Sequence, residues 1–286
     1  MADVIAGNTE LGATKQDLIS ALVQRELAFA SKLLPFFSDV SMYCVPGSKT
    51  ISFPKLTSFT VVDRVEAAAG DASALTSTVD QLSLDVNAYI ASIVDSMTKK
   101  QANIKAEMEY AKAAAAAHGR YVDEKIIALG LEAGAYHFQN VGADSDVTYA
   151  NLVDMQYRYL GNDGLPELGT WFCSVSQNKA LVQLTEFKDV SAFGEMVIRD
   201  GYVKQILGMP VVIHNGLAAK ELFLAGKDSI AVGFQSGLAM DEQPANEYGV
   251  GAVRVAMDQL FGVKPLHTAR KGAAAGKSPL ILGLND

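Results

Sequence analysis

The residues best placed to do chemistry lie near the end of the chain, in Gly272-Ala273-Ala274-Ala275-Gly276-Lys277-Ser278. A phosphate-binding loop needs four residues between its two glycines, so that successive backbone N–H groups can wrap the phosphates. Three are present here, and only eight residues follow Ser278, too few for the helix such a loop must enter. Gly249-Val250-Gly251 is half of a dinucleotide fingerprint without the third glycine, and it reads better as the start of a strand. The four histidines, His118, His137, His214 and His267, include no pair at i,i+3 or i,i+4 and none beside a cysteine, so no metal site is expected. Ser236, in Gly233-Phe234-Gln235-Ser236-Gly237, is displaced by one position from the G-x-S-x-G elbow. Cys44 and Cys173 stand far apart with no CxxC spacing, and both read as small buried hydrophobes. No cofactor is implied. A carboxylate pair assembled in three dimensions is the one catalytic arrangement that these spacings leave open.

Composition excludes further classes. The chain of 286 residues is 49% hydrophobic, enough for a substantial core in one or two domains. No run approaches a membrane span and the N-terminus lacks the layout of a signal peptide, which predicts a soluble protein, intracellular at synthesis, with no membrane partner. Twenty-four basic against 32 acidic residues leave a net charge of −8. Such a surface does not track phosphates, yet it suits a wall that encloses nucleic acid without gripping it.

The elements that would position any site are unusual in their order. Residues 1–13 are polar, and an amphipathic helix starts at Thr14-Lys15-Gln16-Asp17 and continues through Leu18, Leu22, Phe29 and Leu33 to Pro35. Ile51-Ser52-Phe53-Pro54 and Thr60-Val61-Val62 read as extended. Glu66 to Ser73 is a flexible tip of small residues, and Leu82, Leu84, Val86 and Ile90 return with strand period. After Asp95-Ser96 the period changes to 3.6, with Ile104, Met108, Ala111, Ala115, Val122, Ile126 and Leu129 on one stripe. A helix over Ser96 to Leu129 would be roughly 50 Å long. A compact enzyme seldom needs an exposed arm and a rod in succession, whereas a subunit that reaches its neighbours does.

Downstream, Asp146 or Thr148 caps a short helix through Leu152, Gln156 and Tyr159, and Gly161 to Pro166 is a turn-rich loop. Trp171 to Val175 reads as a buried strand, followed by a helix capped at Ser176-Gln177-Asn178 and running through Leu181 and Leu184. Val203 to Leu207, a turn at Gly208-Met209-Pro210, and Val211 to Ile213 read as strand, turn, strand. Ser229 to Phe234 is a further strand, Val250 to Met257 a long one, Val263 to Leu266 a short terminal one, and the tail from Ala269 reads as loose. The class is α+β, with no internal repeat.

This order of parts, together with Leu165 to Ser176, Gly201 to Val211, Tyr248-Gly249-Val250 and Leu260 to Pro265, resembles the major capsid protein of tailed bacteriophages, the Hong Kong 97-type coat fold. Thr170 departs from that pattern, since many relatives carry a basic residue there. The resemblance implies an N-terminal arm over 1–45, an extended β-hairpin loop over 46–82, and a peripheral domain over 83–145 with the spine helix at 96–129. It further implies an axial domain over 146–224, and return strands of the peripheral domain with a C-terminal tail over 225–286. It implies a non-enzymatic virion component, made in the bacterial host cytoplasm, whose copies form pentamers and hexamers of an icosahedral shell around double-stranded DNA. A separate scaffolding protein and a portal would be partners, and the loop tip, Glu66, Ala68, Gly70, Asp71 and Ser73, would touch a neighbouring subunit. Covalent cross-linking through Lys49 or Lys55 is not implied, because nothing identifies their partners. An encapsulin-like shell and a soluble α+β enzyme are the alternatives.

A helix continuous through Ala113–Ala117 has a direct test. Interior proline costs ~3 kcal/mol or more and kinks the axis, whereas glycine costs about 1 kcal/mol. Ala115→Pro is expected to give insoluble or misassembled protein and Ala115→Gly to be tolerated, as read by soluble yield and electron microscopy. Normal assemblies from the proline variant would mean that no long helix passes this point.

Overall fold

The computed structural model describes residues 31–56, 77–94, 106–133, 136–139, 147–184, 203–248, 251–266, 278 and 280–285. In chain order the elements are β1 (Ser38–Asp39), β2 (Thr50–Leu56), β3 (Ser77–Ser83), β4 (Val86–Val94), α1 (Ala106–Ala128), β5 (Tyr136–Gln139), α2 (Tyr149–Gly161), β6 (Gly169–Cys173) and α3 (Val175–Gln183). They continue as β7 (Gln205–Ile206), β8 (Met209–Ile213), β9 (Leu222–Gly226), β10 (Ile230–Phe234), β11 (Ala239–Pro244), β12 (Val253–Pro265) and β13 (Ile281–Asn285). The predicted N-terminal helix lies outside the described residues, apart from its last positions before Pro35.

Three sheets result. The first is ordered β1-β10-β12-β11, with β4 on the other edge of β12; the second runs β5-β13-β9-β6-β8-β7; β2 and β3 form a separate hairpin pair. Helix α1 runs unbroken through the alanine run and Gly119, and a π-helical turn over Leu129–Ala133 ends it. Its 23 residues span about 34 Å at ~1.5 Å per residue. The predicted start at Ser96 falls outside the described residues.

The structure differs from the sequence-based expectations in four places. Residues 253–265 form one strand of 13 residues, not two pieces. Gly262, within this strand, is a close-approach site, since a Cβ on it would lie 2.2 Å from the Ser83 carbonyl oxygen. Helix α3 is capped by Ser174, whose Oγ accepts from the Gln177 N–H at 3.1 Å, two residues earlier than the expected Ser176. The turn at residues 207–210 is Leu207-Gly208, both at positive φ, and Met209 and Pro210 already belong to β8. The largest difference is the tail, where β13 is paired on both edges, parallel to β5 and antiparallel to β9. Ile281, Leu282 and Leu284 are fully buried there. A short strand covered on both faces has no polar alternation to announce it.

The buried stripe of α1 changes character along its length. Ala111, Ala114 and Ala115 pack against Met240, Val255 and Met257 of the first sheet and Leu238 just before β11. Small residues on the helix let the larger side chains of β11 and β12 fill the gap between backbones. About two to four turns on, Val122, Ile126 and Ile127 pack against Phe172, Phe223 and Ile281 of the second sheet as well as Ile230, Val232 and Phe261 of the first. Helix α1 therefore joins the two sheets.

His118 sits between these two zones, almost completely buried, with neither ring nitrogen hydrogen-bonded. Burial pushes its imidazole below the ordinary value of 6.5, against a smaller opposing pull from Asp258. The unfolded chain then takes up the proton first as pH falls through about 6.5, so stability declines from that pH down to the depressed folded value. His118→Leu, of similar volume, is expected to remove this part of the acid-side decline. Denaturation midpoints measured between pH 7 and 5 for both proteins check it; parallel curves would count against it.

Candidate functional site

The β2–β3 hairpin is the described element with least support of its own, since a two-stranded pair is marginal in water. Its register runs from Thr50↔Ser83 to Leu56↔Ser77. Alternation places Ile51, Phe53, Asp80 and Leu82 on one face, and Ser52, Val79 and Gln81 on the other. Ile51 and Leu82 are buried with Val40, Cys44, Leu84 and Ala231, and Phe53 packs on the same cluster. Asp80 is nearly buried and forms an ion pair with Lys264 of β12, whose Nζ also donates to the Gln81 carbonyl at 2.6 Å. Removing Lys264 would take the cation from a nearly buried carboxylate, whereas Lys264 is partly exposed and keeps the Gln81 carbonyl if Asp80 is removed.

The connection into the hairpin is held as firmly as its strands. Gln235 Nε2 donates to the carbonyls of Val45 (2.9 Å) and Ser48 (2.7 Å), and the Leu84 N–H donates to the Lys49 carbonyl at 2.9 Å. Ser41 Oγ accepts from the Phe234 N–H at 3.0 Å. Beside this root Met42, Tyr43 and Val45 are exposed, as is Val79 on the outer hairpin face. The described part of the hairpin is thus fixed to the first sheet by hydrogen bonds, one ion pair and a small apolar cluster.

The tip residues singled out from sequence, Glu66, Ala68, Gly70, Asp71 and Ser73, lie outside the described residues, as does Thr60-Val61-Val62. The residues that matter at the root, Asp80, Lys264, Gly262 and Gln235, were not singled out. Asp80 carried a readable signal, because it occupies an inward position of an alternating strand and a buried carboxylate needs a partner.

The candidate catalytic groups are engaged elsewhere. Ser236 Oγ accepts from the Leu260 N–H at 3.2 Å. Burial raises the Cys173 thiol to about 11, far from a reactive thiolate, and Cys44 is raised as well. His214 Nε2 lies 3.0 Å from Asp123 Oδ2, and its Nδ1 accepts from the Gly216 N–H at 3.0 Å. Ser31 Oγ donates to the other oxygen of Asp123 at 2.6 Å, and the Lys32 and Leu33 N–H groups also donate to this carboxylate. Serine and histidine therefore both bond the aspartate and not each other, so this hub fastens residues 31–33 to α1 and does not generate a nucleophile. Among the described residues no group of three or more His, Cys, Asp or Glu is placed to hold a metal, and no helix is long and apolar enough to cross a membrane.

No protein-family model matches the sequence, and no curated protein matches it. Solved structures do. A structure from Mycobacterium phage Che8 matches with a TM-score of 0.66 at 15% identity, over 83% of this chain and 85% of that one. The asymmetric unit of the bacteriophage PhiM1 mature capsid matches at 0.64 and 14% identity, over 89% and 86%. The crystal structure of a virus-like particle from Pyrococcus furiosus matches at 0.60 and 8% identity, over 95% and 99%. The chain shares the mixed helix-and-sheet fold of these structures.

The contact between Gly262 and Ser83 tests the root directly. Gly262→Ala would drive a methyl group into a backbone oxygen, and overpacking of this kind costs about 1–3 kcal/mol. Lower thermal stability and faster protease cleavage within residues 46–83 are the expected results. Unchanged cleavage would show that β12 does not hold the hairpin.

Proposed function

We propose that this chain is the major capsid protein of a tailed bacteriophage, a structural protein whose copies close into an icosahedral shell around the double-stranded DNA genome. The observation that carries the reading is the match, over most of the chain, to structures that include a mature phage capsid. The hairpin adds a physical reason, because an element so weakly self-supporting and so firmly rooted is suited to lie on a neighbour. In this reading α1 is the spine helix of a peripheral domain built on the first sheet. The second sheet with α2 and α3 forms the axial domain, and β5 and β13 at either end of that region join it. Residues 1–45 are an arm and residues 46–82 the extended loop, whose tip (Glu66, Ala68, Gly70, Asp71 and Ser73) touches the next subunit.

Identical chains in rings of five and six need several modest contacts apiece, which add because later ones form within an assembly already begun. The net charge of −8 keeps the wall from gripping the packed polyanion. A separate scaffolding protein and a portal complete the partner set. No catalytic step is assigned.

One observation favours a second reading. The Pyrococcus furiosus virus-like particle is matched nearly end to end, which fits an encapsulin-like compartment with protein cargo. Purified particles that contain DNA support the capsid, and particles that contain a cargo protein support the compartment. A small oligomer on size-exclusion chromatography would overturn both in favour of a soluble enzyme.

A loop with no packing role in its own subunit can be shortened at little folding cost. Deleting Ala67–Ala72 is expected to leave soluble protein with near-native circular dichroism that no longer forms stable closed particles in electron micrographs. Intact particles of normal stability would make the loop ornamental, and outright unfolding would place it in the core.

A further inference from the structure

The first sheet has two kinds of edge. β11 carries Asp241, Glu242 and Pro244, the charges and proline by which exposed edges resist further pairing. β4 carries none of these, since Val86-Asn87-Ala88-Tyr89-Ile90-Ala91-Ser92-Ile93-Val94 is nine residues without charge or proline in a chain that is 20% charged. Its backbone pairs with β12 along one side only, and no described residue bonds to its other side. The strand's outward face presents Asn87, Tyr89, Ala91 and Ile93, with Tyr89 55% and Ile93 41% exposed. Arg254 donates to the Tyr89 hydroxyl at 2.9 Å and so holds the ring in place across the outer face.

We infer that β4 is a pairing edge for β4 of a second copy of this chain, antiparallel across a two-fold axis at Ala91. The partner follows from self-complementarity. With Ala91 opposite Ala91 of the second copy, each Tyr89 falls opposite the other copy's Ile93, an aromatic–aliphatic pair at both ends of a small-residue centre. A centre at Ile90 would set Asn87 against Ile93 instead. A one-residue shift of the pairing sum would turn outward residues against inward ones. Charges agree with the first register as well. Arg254 is the β12 neighbour of Ile93, and Asp258 is the β12 neighbour of Tyr89. Each cross-strand row then runs Arg254, Ile93, Tyr89 of the second copy, Asp258 of the second copy, with cation and anion flanking the apolar pair. Two chains of net charge −8 repel on average, and this uncharged strip is where they can approach. A two-fold contact of this kind is isologous and closes on itself. It would join one ring to the next, a role that rests on the shell reading, while the edge pairing itself does not.

Cysteine cross-linking of the full-length protein decides the matter. Both native cysteines are buried and do not compete. Ala91→Cys brings two thiols to directly opposed positions, within disulfide reach, whereas Asn87→Cys, equally outward, leaves its two thiols eight residues apart, ~27 Å. Mild oxidation should convert most of Ala91→Cys to a covalent dimer on a non-reducing gel and leave Asn87→Cys monomeric. Dimers from both variants, from neither, or from Asn87→Cys alone would overturn the inference. Ala91→Lys, which sets two like charges face to face on an exposed position, should keep its melting temperature and lose the joint. Particles from it that match wild type in yield and stability would also overturn the inference. Failure of the shell reading shows separately, as a protein that forms no particles whether or not Ala91→Cys cross-links.

Discussion

Phe172 is the contact on which most of the remaining structure depends. Its ring stacks on Phe223 at 4.7 Å and on Phe37 at 5.4 Å between centroids, with Phe36 edge-on at 5.7 Å. Phe172 and Phe223 belong to the second sheet, while Phe36 and Phe37 come from the segment that leads into the first. Val122 and Ile126 of α1 complete the same cluster. Truncating a phenylalanine in such a place costs about 3–5 kcal/mol. Here the loss would fall on three elements together, because each uses the others as its wall.

Around that stack the load is routed through two elements, α1 and β12. Helix α1 presents alanines to the first sheet and branched residues to both sheets, so it can neither slide nor tilt without opening a gap. Asp123 ties the incoming chain at residues 31–33 and the loop at His214 to the same helix. Strand β12 pairs with β4, β10 and β11 and also carries Gly262 and Lys264, the two residues that seat the hairpin. A force on the hairpin therefore passes to β12 and, through the alanine face, to the helix.

The polar side chains that suggested chemistry are consumed by this framework. Ser236 fastens a backbone amide, His214 and Ser31 share Asp123, and Cys173 fills a buried strand. Among the described residues the buried ring nitrogens of His118 and Trp171 stay without a partner, while the surface carries exposed apolar side chains and the outer edge of β4.

Elements with an exposed face were legible in the sequence, because only there does polarity alternate with a period. The strand period of Leu82, Val86 and Ile90, the 3.6 spacing from Ala111 to Ile126, and the cap at Thr148 all pointed to elements that the structure contains, although the first run is two strands with a break at Leu84-Asp85. The hairpin-then-rod order that carried the resemblance is a local property of consecutive residues. Tertiary structure alone decided the rest, for a common physical reason. β9 and β13 are covered on both faces, so their runs of apolar residues have no period, and residues 280–285 read as a loose end until β5 and β9 enclose them. No local feature of the sequence reveals that the Ser83 carbonyl closely approaches Gly262. Asp80 and Lys264 stand 184 positions apart, and their pairing exists only once β12 has brought them together. Periodic burial is written residue by residue, whereas close approach and charge pairing between distant segments are set by the fold that brings them into contact.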